Sequence, residues 1–77
     1  MKSIDMKYDE ENKSIYLKVV NHKDKDEIAA VLNWLENKNM LKLFKVERGL
    51  TVSKDMMGMV HDLLKMNHIN YEFSNTN

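Results

Sequence analysis

Two stretches of this chain carry apolar residues at helical spacing, and each is followed by a short extended run closed by phenylalanine. The first reaches from Lys25 to Phe44 and the second from Lys54 to Phe73. Aligned on their opening Lys-Asp, the two share Val31 with Val60, Leu35 with Leu64 and Phe44 with Phe73. Any two amphipathic helix-strand segments give such coincidences once their periods are matched, so the alignment describes each unit rather than proving a duplication. A helix followed by a strand, met twice in so short a chain, restricts the fold to layers of helix on sheet.

Ahead of these units lies an alternating segment, with Ile4, Met6 and Tyr8 on one side and Ser3, Asp5 and Lys7 on the other. That is the pattern of a strand with one wet face. Residues 9–13 are polar and of hairpin length. Residues 14–21 read as a second strand, with Ile15, Leu17 and Val19 facing one way and Tyr16, Lys18 and Val20 the other. A strand apolar on both faces belongs inside a sheet rather than at its edge.

The first helix is expected to start at a capping box made by Asp24 and Glu27, and to bury Ile28, Val31, Leu32 and Leu35. Trp34 lies beside that stripe, where its indole N–H can stay near solvent. Residues 37–39 supply the left-handed conformation that ends the helix. Residues 40–47 are expected as the third strand, with Phe44 and Val46 inward and Leu43 on the far face with Tyr16 and Val20. Arg48-Gly49 forms a turn, and residues 50–52 are either a short extended piece or the lead-in to the next helix.

Ser53 caps the second helix, with Asp55 in its first turn. Met56, Met57, Met59, Val60, Leu63, Leu64 and Met66 form an apolar arc wider than one sheet-facing stripe requires. Gly58 in this helix implies a close approach, against Ala29 or Ala30. Asn67-His68 ends the helix, residues 69–73 form the last strand, and residues 1–2 and 74–77 are expected to fray. The result is one α/β (α+β) domain spanning 1–77, a two-layer sandwich in the order β-β-α-β-α-β. It has a mixed four-stranded sheet and both helices on one face.

Composition limits what such a domain can do. With 77 residues and no cysteine, disulfides and thiolate metal sites are excluded, and the core must be stabilised by packing or self-association. A formal net charge of zero gives no long-range attraction to phosphate backbones or anionic membranes. The amino terminus lacks the apolar run of a signal peptide, and no segment has the roughly 18–20 apolar residues needed to cross a bilayer. A cytoplasmic protein without a membrane partner is expected. Two glycines and no proline beside abundant lysine and asparagine suggest an AT-rich genome, such as that of a low-GC bacterium or its phage.

The chemistry-bearing residues form no catalytic pattern. His61 and His68 are about two helical turns apart, roughly 10 Å, too far to share an ion directly. Ser53 is explained as a cap, Asp9, Glu10 and Glu11 sit in a solvated turn, and two glycines cannot build a phosphate-cradling loop. No enzyme activity, metal or cofactor is expected. The methionines crowding the second helix are polarizable and adaptable, suited to an interface, so the expected contact surface is Trp34, Met56, Met59, His61 and Met66. Its partner is another protein or a second copy of the chain, as for a phage or mobile-element factor that modulates a host protein. The alternative is a small DNA- or RNA-binding regulator using Lys42, Lys45, Arg48 and Lys54.

Overall fold

The computed structural model describes residues 1–74. Strands β1 (Ser3–Asp9) and β2 (Ser14–Val19) form the expected antiparallel hairpin, with Ile4 opposite Val19 and Asp9 opposite Ser14. The turn is closed by the Asp9 carboxylate, which accepts hydrogen bonds from the Asn12 backbone N–H (3.1 Å) and side-chain amide (2.7 Å). These bonds hold the Asp9 carboxyl below the usual carboxylate range. Lys13 takes a left-handed conformation to return the chain to β2.

A 3-10 turn, His22–Asp24, leads into α1 (Lys25–Val31), which tightens again into a 3-10 turn at Leu32–Leu35. The expected capping box is absent. Asp24 makes no side-chain cap bond; Asn21, earlier in the chain, instead accepts from the Lys23 N–H and starts the first turn. Glu36 takes the left-handed conformation that was expected of residues 37–39, and this frees Asn37 for another role.

That role accounts for the largest difference from the sequence reading. Residues 40–47 are not a strand: Lys38–Glu47 is a helix, α2, with the Asn37 side chain accepting from the Met40 N–H at its start. A strand through these residues would have needed a bulge to bring Phe44 and Leu41 to one side. A helix brings Leu41 and Phe44 together at i and i+3 without one, and the segment consists mostly of good helix formers. Phe44 is inward as expected, but Val46 is 68% exposed, and Leu43 lies on the helix exterior rather than on the far face of the sheet. The pairing of Phe44 with Phe73 is therefore not structural, because one sits in a helix and the other in a strand.

The third strand is β3 (Gly49–Ser53), reached through Arg48 in a left-handed cap. Ser53 caps the following 3-10 turn, Lys54–Met56, by accepting from the Asp55 N–H, and α3 (Met57–Met66) continues from it. His68, also left-handed, turns the chain into β4 (Asn70–Ser74). The mixed four-stranded sheet has the order β3-β2-β1-β4, with β2 antiparallel to both neighbours and β4 parallel to β1. β2 is internal, as expected, although only its Ile15, Leu17 and Val19 face is buried. Ser74 closes the ladder opposite Lys7 instead of fraying, and the Lys2 carbonyl accepts from the Asn70 N–H. The fraying expected at residues 75–77 lies outside the described residues.

One face of this sheet carries the core. Ile4, Met6, Ile15, Leu17, Val19 and Leu50 point towards Ile28, Leu32, Leu41, Phe44, Val60 and Leu64 from the three helices. All are buried, so the helices form a single layer on one side and the domain is a two-layer sandwich. The other sheet face is open, with Lys7, Tyr16, Lys18 and Thr51 exposed. No helix is long and apolar enough to cross a membrane among the described residues.

Candidate functional site

Along α3 the apolar arc divides. Val60 and Leu64 are fully buried, Met57 and Leu63 pack partly against them, and Met59 and Met66 point outward. Met59 and Met66 are 48% and 75% exposed. Seven residues separate them, close to two turns, so they lie one above the other on the same flank, with half-buried Leu63 between them.

The remaining residues of the expected contact surface go elsewhere. Met56 is half-buried and borders a cleft of about 220 Å³ between α2 and β3, with Leu35, Met40 and Val52. Of the three polar residues lining that cleft, Asn37, Thr51 and Ser53, two are already engaged as helix caps, Asn37 and Ser53. Trp34 sits in the 3-10 turn after α1, and its indole N–H is buried, with no partner among the described residues, rather than kept near solvent.

His61 faces β4, on the opposite flank from Met59. Its ring lies 4.5 Å from that of Tyr71 and 5.6 Å from that of Phe73, with Nδ1 3.5 Å from the Tyr71 hydroxyl. Nε2 is buried and unpartnered among the described residues. Tyr8 extends this aromatic group, stacking on Phe73 at 5.8 Å and donating its hydroxyl to the Met57 sulfur at 2.7 Å. Tyr8, Tyr71 and Phe73 were not among the expected site residues. The alternation in both strands already placed them on the core side of the sheet, but only the parallel pairing of β4 with β1 brings them together.

The basic residues also separate. Lys42 and Lys45 lie on one flank of α2 and, with Lys38, border a groove of about 430 Å³ against Ala29, Ala30 and Asn33 of the first helical segment. Lys54 does not border that groove: it pairs with Glu10 at 3.3 Å and stands 5.1 Å over the Tyr8 ring. Arg48 is half-buried at the left-handed end of α2. A second ion pair, Lys2 with Glu27 at 2.5 Å, ties the residue before β1 to α1 and raises the Lys2 pKa through the hydrogen bond and the neighbouring charge.

No group of three or more His, Asp or Glu side chains is placed to hold a metal ion among the described residues. Gly58 does not mark a close approach, since a Cβ built there meets nothing within 4 Å. Comparison with protein-family models, with curated proteins and with solved structures found no match.

Proposed function

We propose that this chain is a small non-enzymatic protein-binding module of the cytoplasm, a phage or mobile-element type of factor that acts by docking on another protein. The observation that carries this reading is the exposure of Met59 and Met66 on one flank of α3. Large flexible apolar side chains held out to solvent on a regular helix favour an adaptable contact. The contact surface is thereby narrowed to Met59, Leu63 and Met66, and Trp34, Met56 and His61 are left out of it.

The test is affinity capture from a bacterial lysate, repeated with Met59→Glu and Met66→Glu. Loss of the same captured protein with both variants, and an unchanged circular dichroism spectrum, is the expected outcome. Capture that survives both substitutions removes this surface. Sedimentation of the purified chain over a range of concentrations decides whether the partner is a second copy.

A DNA- or RNA-binding role has narrower support, the stripe of Lys38, Lys42 and Lys45 beside a groove with no acidic residue in its lining. Arg48 and Lys54 do not add to that stripe. Micromolar binding to nonspecific DNA that weakens steeply with salt would favour this second reading over the first.

A further inference from the structure

The two edges of the sheet are not alike. β3 is preceded by Arg48 and followed by Lys54, and α2 packs against it. β4 has neither lysine nor proline nor a bulge, the devices by which edges are usually blunted, and four of its five residues are exposed.

The direction of its free hydrogen-bonding groups follows from the ladder. Asn70 donates to the Lys2 carbonyl (3.0 Å), so Asn70, Glu72 and Ser74 turn their backbone groups towards β1. The N–H and C=O groups of Tyr71 and Phe73 alternate with these and point outward. Among the described residues, these two thus offer four unpaired backbone groups along an open edge.

The side chains bordering that edge state what it would accept. On the helix face, Tyr71 and Phe73 continue the apolar rows begun by Ile4 and Met6, and His61 beside them has a buried ring nitrogen with no partner among the described residues. On the open face, one row runs from Lys18 through Asp5 to Glu72. Asp5 has Lys18 on one side and Glu72 on the other, so two carboxylates stand together at the end of the row. No cation follows Glu72.

We propose that β4 is a strand-addition site for an extended segment of another protein whose residues alternate between apolar and basic. The apolar positions continue the rows of Tyr71 and Phe73, and a lysine or arginine lies beside Glu72 on the open face. A second copy of β4 is disfavoured as the occupant. The antiparallel register that pairs Tyr71 with Phe73 sets Glu72 opposite Glu72 in the narrow, non-hydrogen-bonded position, where like charges repel. The proposal supplies a partner class for the protein-binding reading but uses a different surface, so Met59→Glu and Met66→Glu leave it unaffected.

The experiment uses the full chain and two hexapeptides, one alternating lysine with valine and one alternating glutamate with valine. Amide hydrogen exchange is followed by NMR at Tyr71 and Phe73, alongside titration. The expected result is protection of both amides by the lysine peptide and affinity at least about fivefold above that of the glutamate peptide, the scale of one cross-strand charge pair. Glu72→Lys should reverse the preference. Exchange at Tyr71 and Phe73 that stays unchanged at millimolar lysine peptide, or equal affinity for the two peptides, overturns the proposal. The comparison of peptides on the unmodified chain decides this even if the variant fails to fold.

Discussion

The ring of Tyr16 lies over Gly49, so that a Cβ on Gly49 would overlap the Tyr16 hydroxyl oxygen and stand 2.7 Å from the ring carbon bearing it. Gly49 has no positive φ, so space rather than backbone conformation requires glycine here. The ring covers the otherwise bare backbone of an edge strand and explains why Gly49 is buried on a face that is otherwise open. Gly49→Ala should push the exposed end of the ring aside and uncover the strand, destabilising the domain by no more than about 1 kcal/mol. In a Tyr16→Ala background the same change should be neutral or slightly stabilising, because alanine is the better strand residue. Urea denaturation of the four proteins measures the coupling, and purely additive effects would refute the account.

Gly58 is the opposite case. It is exposed, helical and unopposed, so Gly58→Ala should stabilise the domain by about 0.4–1 kcal/mol, mainly by restricting the unfolded chain. A lower thermal midpoint for this variant would mean that the added methyl meets a neighbour, and would overturn this account.

The reversal between the first helical segment and α2 rests on two adjacent residues. Asn37→Ala removes the bond to the Met40 N–H and should cost about 1 kcal/mol. Glu36→Gly relieves a left-handed non-glycine residue and should stabilise by up to about 1 kcal/mol. Opposite signs for these neighbours in equilibrium unfolding are the signature expected; the same sign would argue against this turn.

Acid should weaken the β1–β2 turn. The folded-state pKa of Asp9 is lowered by hydrogen bonds from Asn12, so its contribution is complete above the unfolded carboxylate value near about 3.9 and is lost as pH falls through the folded value. The stability advantage of the natural chain over Asp9→Ala should therefore shrink on acidification below about pH 4. Thermal melts of both proteins between neutral and strongly acid pH test this, and a constant difference would exclude it.

Much of this architecture is legible from periodicity. The hairpin alternates, the stripe at Ile28 and Leu32 recurs at helical spacing, and the caps at Ser53 and Asn67-His68 fall where their chemistry places them. The third strand was misplaced because Met40 to Val46 is apolar at positions compatible with either period, and local pattern cannot choose between them. The choice was made by Glu36, which accepted a left-handed conformation one residue before the asparagine able to cap α2.

What the residue order determined by itself was the layer type, the buried face of β1 and β2, and the surplus of apolar surface on α3, because each follows from a repeat that neighbouring residues share. Which part of that surplus stays in solvent was decided by the tertiary structure. So were the aromatic group around His61, the separation of Lys54 from Lys42 and Lys45, and the open edge of β4. Each depends on elements far apart in the chain being set beside one another, and strand order and helix rotation are properties of the packed whole rather than of any local repeat.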